Sequence, residues 1–164
     1  MDRWRIFVTG AAMLALAGCA AETPQCTAIG SPAGLSLEIA APLATTATQV
    51  DMQVCWDGEC YSPAIELLPS LTSEPQDCTG PEPDDSCSAK QVPAGGKHGF
   101  AEMPELPAAE VEVAVTLHDS AGTQVFHDMT IVMPEPTYPN GPQCAADGVQ
   151  AALIAERTQL RQAS

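Results

Sequence analysis

The cysteines limit the fold of this chain more than any other feature of its sequence. There are seven of them in 164 residues, an odd number. Cysteines of exported domains form disulfides in pairs, so one of the seven needs a different role. Cys19 stands apart because it follows an apolar N-terminal stretch. The other six are the candidate disulfide cysteines, namely Cys26, Cys55, Cys60, Cys78, Cys87 and Cys144.

The N-terminal stretch is typical of a signal peptide. Arg3 and Arg5 precede residues 6–17, a mostly apolar run that ends in small residues. This run is shorter than the roughly 20 apolar residues that a membrane-spanning helix needs. We therefore expect residues 1–18 to be a signal peptide that is removed on export.

The residues around the expected cleavage position indicate a lipid anchor. Leu-Ala-Gly-Cys at 16–19 resembles the lipobox of bacterial lipoproteins, in which the cysteine receives diacylglycerol and becomes the mature N-terminus. We expect a covalent diacylglycerol on Cys19, a tether over residues 19–25, and a location on the extracytoplasmic face of the cell membrane. An ordinary secretory signal with a cysteine at its cleavage site is the alternative.

The charge of the chain excludes several classes of partner. Six basic and 21 acidic residues give −15, and removal of 1–18 leaves four basic against 20 acidic residues, which is −16. Such a protein has no cationic surface with which to bind phosphates, so we expect no nucleic-acid partner. An anionic bilayer would repel it as well, which leaves membrane attachment to the lipid.

One disulfide is favoured by local geometry, although six cysteines allow many pairings. Asp57-Gly58, between Cys55 and Cys60, is a dipeptide preferred in two-residue hairpin turns. Such a turn would place the two cysteines opposite each other, within reach of a disulfide. The even positions of residues 50–56 would face the core, which puts this bridge on the outer face of the sheet.

The remaining cysteines then suggest two further pairs. Cys78 and Cys87 bracket a polar, proline-rich stretch that a local bridge would hold, and Cys26 with Cys144 would join the two ends of the domain. Zinc binding is the alternative role for these residues. No Cys-x-x-Cys pair occurs, and no histidine lies near any cysteine, so we favour three disulfides.

The hydrophobic pattern has a period of two, which is typical of strands. Residues 110–118 alternate between polar and apolar side chains, and loop 120–122 ends in Gly122, which suits a three-residue hairpin loop. The register that follows from this loop pairs Leu117 with Val125, Val113 with Met129 and Val111 with Ile131. Met129 and Ile131 are therefore predicted to face the core.

Weaker strand signals occur at 35–40, 48–56, 60–67, 99–103 and 149–155. Together these segments predict an all-β fold, an immunoglobulin-like β-sandwich of about seven strands over residues 26–155. The Cys-Trp-Cys spacing of true immunoglobulin domains is missing, so the prediction concerns architecture alone.

The C-terminal segment leaves two interpretations open. Residues 149–160 contain strong helix formers, so a helix competes there with a closing strand. We predict the strand, because it would complete the second sheet. Residues 156–164 are then a frayed tail.

Four motifs together resemble a group of small actinobacterial lipoproteins of uncharacterised function. They are the lipobox, Cys-Thr-Ala-Ile-Gly at 26–30, Cys-Trp-Asp-Gly-Glu-Cys at 55–60 and Tyr-Pro-Asn-Gly-Pro-Gln-Cys at 138–144. The resemblance extends from residue 19 to about residue 155. It implies a surface-anchored sandwich domain and assigns no functional residues.

Loop 69–93 is the candidate recognition element. It is rich in proline and acidic residues, and it is longer than a compact domain normally tolerates. We expect a rigid sandwich to present it to an envelope protein. The chain would then be a binding or structural module of the cell envelope, and the alternative is a solvated insertion without a partner.

Two alternative functions rest on weaker patterns. His127 and Met129 form a His-x-Met pair of the kind that soft Cu(I) prefers, and His98 and Met103 are candidate additional ligands. The competing interpretation places Met129 in the core and His127 at its boundary. A cell-envelope enzyme is the second alternative, but no catalytic motif occurs, so we expect no enzymatic activity. Its candidate acid pairs are Asp84 with Asp85 and Glu110 with Glu112.

Overall fold

The computed structural model describes residues 25–78, 80 and 86–163, and its regular structure is almost entirely β. It contains a single short helix, α1, and ten strands, where the sequence predicts about seven. In chain order these are β1 (Gly34–Ile39), α1 (Leu43–Thr46), β2 (Gln49–Trp56), β3 (Glu59–Tyr61), β4 (Leu68–Pro75), β5 (Ala89–Glu102), β6 (Val111–His118), β7 (Gln124–Val132), β8 (Glu135–Pro136), β9 (Val149–Ala155) and β10 (Leu160–Gln162).

The strands form two sheets, as expected for a β-sandwich. The larger sheet has six strands in the order β10-β9-β1-β5-β4, with β8 paired to β9, and the smaller one has the order β3-β2-β6-β7. Most neighbours are antiparallel, but β1 runs parallel to β9. The predicted all-β class, the sandwich and the three disulfides are confirmed.

The core lies between the two sheets and is built almost wholly from aliphatic side chains. Alternate residues of β6 point inwards, and the side chains of its predicted inner face are each no more than 1% exposed. Burial of each of these leucine or valine side chains stabilises the fold by about 1.5–3 kcal/mol relative to its exposure to water. Phe126 is the one aromatic side chain in the buried core of the described residues. The largest fully buried residues include Leu35, Leu37, Ile39, Leu117 and Leu153.

Both predicted hairpin turns are present. Asp57 and Gly58 have φ of 50° and 81°, which matches the two-residue turn, and Cys55 pairs with Cys60 as expected. In the second turn the backbone N–H of Asp119 donates to the carbonyl of Thr123 at 2.9 Å. The two strands therefore leave this loop in the predicted register.

The register of β6 and β7 changes one residue beyond the loop. A β-bulge shifts the pairing between Leu117 and His118, so Leu117 lies opposite Phe126 rather than Val125. The predicted register is therefore wrong along the rest of the hairpin. Met129 and Ile131 are 54% and 64% exposed, while Phe126 and Val132 occupy the core. Because side chains alternate, one extra residue exchanges the two faces.

The predicted strand 60–67 is wrong beyond Tyr61. Residues 62–67 cross from the smaller sheet to the larger one and pass close to β5 at Gly99. A Cβ at Gly99 would lie 2.6 Å from the Glu66 carbonyl oxygen, so the crossing requires a glycine there. Pro63 also lacks the N–H that a continued ladder would use.

Loop 69–93 is wrong as a single loop, because residues 69–75 and 89–93 lie in strands. Residues 68–75 and 89–102 pair as the antiparallel strands β4 and β5, with Glu74 opposite Lys90. β1 pairs with β5 only from Lys97 to Glu102, so the hairpin projects beyond the edge of β1. We call this projecting part, residues 71–75 and 89–93, the arm. Prolines are tolerated here because the strands have free edges.

The C-terminal segment forms a strand and not a helix, and the predicted frayed tail is wrong. After β9, residues 156–159 turn the chain, and β10 pairs with β9 so that Leu160 lies opposite Ala155. Leu160 is 4% exposed and belongs to the core. Its burial explains why the chain stays ordered where high polarity suggested fraying.

Candidate functional site

The disulfides follow the pairing favoured by the sequence. Zinc ligation and the other pairings are excluded, because all six candidate cysteines are used within the domain. The bridges are Cys26–Cys144, Cys55–Cys60 and Cys78–Cys87, with Cα–Cα distances of 5.8, 4.1 and 4.1 Å.

The expected lipid attachment lies outside the described residues. This applies to the signal peptide at 1–18, to Cys19 and to all but the last residue of the tether at 19–25. The one helix of the described part of the chain, α1, lacks the length and apolarity needed to cross a bilayer. The acylation of Cys19 stays a prediction.

The chain enters the sandwich at one end. Gly34 begins β1 and lies between Glu102, the last residue of β5, and Gln150 near the start of β9. We call this the entry end. The segment before β1 is fixed there by hydrogen bonds, including that from the Ser31 N–H to Asp147 Oδ2 at 3.1 Å.

The arm projects from the opposite end. Ile39, the last residue of β1, pairs with Lys97, and β5 extends away from that point to Ala89. The Cys78–Cys87 bridge lies beyond the paired strands of the arm. The sandwich therefore separates the arm from the entry end.

A cleft at the entry end was not anticipated from the sequence. It opens beside the β2–β3 hairpin, where Trp56 and Tyr61 stack with ring centroids 4.2 Å apart and an interplanar angle of 17°. Val54 pairs with Tyr61, so Trp56 and Tyr61 are diagonal neighbours on one face. The cleft has a volume of about 360 Å³ and is lined by Trp56, Tyr61, Ser62, Pro63, Glu102, Met103, Pro104 and Glu105.

The cleft lies in a strongly negative environment. The Tyr61 hydroxyl donates to Glu59 Oε2 at 2.8 Å. This hydrogen bond, followed by partial burial and the negative charges of Glu59, Glu105 and Asp57, raises the pKa of Tyr61 above its ordinary value. Carboxylates on the turn and on the segment after β5 therefore act together on one phenol.

The basic residues of the described chain lie away from this cleft. Lys90 is on the arm, and Lys97 donates through Nζ to the Ala47 carbonyl. Arg161 Nη2 forms a 2.7 Å ion pair with Glu156. Arg157 lies between β9 and β10, where Ala155 pairs with Ile39 at the end opposite the entry end. The negative charge of the cleft is thus not neutralised by a neighbouring cation within the described residues.

The four candidate copper ligands are not brought together. His127 and Met129 lie two residues apart on the exposed face of β7, but His98 belongs to the other sheet, and Met103 is only 6% exposed. His127 Nδ1 lies 3.0 Å from the Thr116 hydroxyl. The interpretation of Met129 as a core residue is also wrong, because the bulge turns it outwards.

Other candidate groups remain scattered. Glu110 and Glu112 are exposed at the start of β6, while Asp84 and Asp85 lie outside the described residues. Within the part of the chain that the structure describes, no three or more histidine, cysteine, aspartate or glutamate side chains are grouped to hold a metal ion.

Only one wall of the cleft has a signal in the sequence. The predicted Asp57-Gly58 turn already places Trp56 diagonal to Tyr61, but it gives no information about residues 102–105, which complete the cleft at and after the end of β5. The comparisons with known proteins add no further assignment. No protein-family model, no curated protein and no solved structure matches this chain.

Proposed function

We propose that this protein is a lipid-anchored, extracytoplasmic binding module that holds its arm towards a partner in the cell envelope. The three disulfides support an oxidising compartment, since such bridges are rare in the cytosol. The lipobox supports attachment through Cys19. Its role is binding and not catalysis.

The placement of the arm opposite the entry end carries this proposal. A tether from Cys19 to Cys26 spans at most about 25 Å, so the entry end would lie near the bilayer. From Lys97 back to Ala89, β5 extends by about 26 Å at roughly 3.3 Å per residue. An anchored molecule would therefore present the arm away from the membrane.

The surface of the arm suits contact with another protein. Leu71 is 57% exposed, and Glu74 and Asp77 add negative charge near the tip. β4 is an edge strand, and the main chain of an edge strand offers hydrogen bonds to an added strand. We expect a partner that contributes an extended segment with basic side chains.

The anchor can be tested by detergent phase partitioning of the protein from its native membrane. Wild-type protein is expected in the detergent phase, because two acyl chains bury many CH₂ groups at about 0.8 kcal/mol each. Cys19→Ser is expected in the aqueous phase. Equal partitioning of both proteins would contradict lipid attachment at this residue.

The arm can be tested by photo-crosslinking in intact cells. A photoreactive amino acid at Leu71 is expected to give an adduct of discrete mass, and the same amino acid at exposed Thr123, on the β6–β7 loop, serves as the matched control. Deletion of residues 79–86 from the tip tests whether the adduct needs the whole arm. Identical adducts from both positions, or none, would remove the arm from the proposal.

Copper binding is a second candidate, because His127 and Met129 share one exposed face of β7. An imidazole and a thioether on alternate strand residues point to the same side, which suits Cu(I). A Cu(I) titration with competing chelator tests it, with His127→Ala expected to abolish binding. Affinity weaker than about micromolar, or an unchanged titration of the variant, would exclude this role.

A further inference from the structure

The cleft at the entry end is separate from the arm and from the His127–Met129 pair. One wall carries Trp56 and Tyr61 from the smaller sheet, and the other is formed by Glu102 at the end of β5 and by residues 103–105, which follow it. Both rings are partly exposed, although they also pack against the core. Aromatic surface that remains open in a concave region is available to a ligand.

The charges around the cleft determine which ligand it attracts. Glu102 and Glu105 line it, and Glu59 and Asp57 lie on the adjoining turn. All four carboxylates are exposed, while the four basic residues of the described chain lie on the arm or near the opposite end. The cleft therefore attracts cations and repels anions, phosphates included.

The apolar lining favours an organic cation over a metal ion. Met103, Pro63 and Pro104 contribute apolar surface beside the stacked rings. A metal ion would need several converging oxygen or nitrogen ligands, whereas an ammonium group with a hydrocarbon stem can use ring faces, carboxylates and apolar contacts together. The volume of about 360 Å³ falls in the range of small-ligand sites.

We propose that the cleft formed by Trp56, Tyr61, Glu102 and Glu105 is a binding site for a small alkylammonium ion. The aromatic rings contact the cationic group and its stem, and the two glutamates supply the opposing charge. The site depends neither on the lipid nor on the arm, so it can fail or succeed independently of the function proposed above.

Tryptophan fluorescence can test this site selectively. The chain has two tryptophans, and Trp4 lies in the expected signal peptide, so the exported protein that begins at Cys19 carries Trp56 as its sole reporter. Choline serves as the cationic probe, and its uncharged analogue 3,3-dimethylbutan-1-ol serves as the control of equal shape. We expect a saturable change with choline below about 10 mM and none with the alcohol, because the ring faces favour a cation.

Charge variants separate local recognition from general attraction. Glu102→Gln with Glu105→Gln is expected to weaken choline binding by about tenfold, because both carboxylates line the site. The matched control is Glu74→Gln with Asp77→Asn, which removes the same charge from the arm and its tip and should change affinity by less than about twofold. Tyr61→Leu is expected to weaken binding through loss of one ring.

Three outcomes would overturn the proposal. One is the absence of a saturable response to choline, and another is an equal response to the uncharged alcohol. The third is equal weakening by the cleft pair and the arm pair, which would show only the attraction of an acidic protein for cations.

Discussion

Asp128 is a charged residue on the inward side of β7, opposite Val115. A contact with β10 explains this position, because the Leu160 N–H donates a hydrogen bond to Asp128 Oδ2 at 2.6 Å. This hydrogen bond, with a second one from the Met129 N–H, lowers the pKa of Asp128. The aspartate thus connects the edge strands of the two sheets.

Replacement of Asp128 should therefore destabilise the fold in a pH-dependent way. The folded-state pKa lies below the ordinary 3.8, so ionised Asp128 stabilises the fold above about pH 4, and this contribution is lost as pH falls through the folded value. We expect Asp128→Ala to lower the free energy of unfolding by about 1 kcal/mol at pH 7, measured by urea titration.

The acid limb of the same experiment provides its control. The difference between wild type and Asp128→Ala should shrink as pH falls from about 4 through the folded-state pKa, because the carboxyl is protonated first in the unfolded and then in the folded protein. Glu66→Ala, at an exposed position, should change stability by less than about 0.5 kcal/mol at pH 7. A constant difference for Asp128→Ala across the pH range would contradict the role of the carboxylate.

The pKa of Tyr61 tests the effect of the negative charges around the cleft. We expect Glu59→Gln to lower the pKa of Tyr61 towards its ordinary value of 10.0, because it removes both the accepting carboxylate and its charge. Ultraviolet titration of the phenols measures this shift. The chain has only one other tyrosine, so the Tyr138→Phe background leaves Tyr61 as the only phenol. An unchanged Tyr61 titration would show that Glu59 does not act on it.

At the scale of elements, the two hairpins show where prediction succeeds and where it stops. The turns at Asp57-Gly58 and 120–122 follow from local residue preferences, and both are confirmed. The bulge at Val125 has no comparable signal, because both faces of β7 offer apolar residues. The inward face of β7 is determined only by the burial of Phe126 and Val132 in the core between the sheets.

The same limit explains the other errors. Leu160 is an isolated apolar residue in a polar segment, so its strand depends on tertiary contacts with β9 and with β7, the second of which lies 32 residues away in sequence. The arm was mistaken for a loop because its strands are exposed on both sides and lack the alternation of a half-buried sheet. Of the cleft, the sequence predicted only the hairpin that carries its aromatic pair.

The corrected register can be tested by a pair of substitutions in β7. Phe126→Ala is expected to lower the free energy of unfolding by about 3 kcal/mol, because it leaves a cavity in the core. Met129→Ala should change it by less than about 0.5 kcal/mol, since this side chain is largely exposed. Chemical denaturation measures both, and the reverse ranking would restore the register predicted from the loop alone.

At the scale of the whole molecule, the disulfides divide into one long and two short closures. Cys26–Cys144 closes 118 residues of chain, against five and nine for the others. If each disulfide stabilises the fold by lowering the entropy of the unfolded chain, the double variant Cys26→Ala with Cys144→Ala should lower the free energy of unfolding by up to about 5 kcal/mol. The double variant Cys55→Ala with Cys60→Ala should lower it by about 2 kcal/mol. Denaturant unfolding compares them, and a larger loss from the short bridge would contradict this account.

Charge and shape are also organised over the whole molecule. The entry end carries the acidic cleft, the opposite end carries the arm, and the described basic residues lie on the arm or towards the end from which it projects. If Cys19 is acylated, an entry end that anionic headgroups repel would lie closest to the bilayer. The lipid would then supply the attachment that the protein surface opposes.

Mass spectrometry of the native protein before and after reduction tests the lipid-anchored, disulfide-linked sandwich most directly. The account predicts a chain that begins at acylated Cys19, and the three disulfides should each gain a pair of hydrogens on reduction. After proteolysis without reduction, the peptides that contain Cys26 and Cys144 should remain joined by their disulfide. An unmodified Cys19, or a disulfide between Cys19 and any other cysteine, would contradict the account.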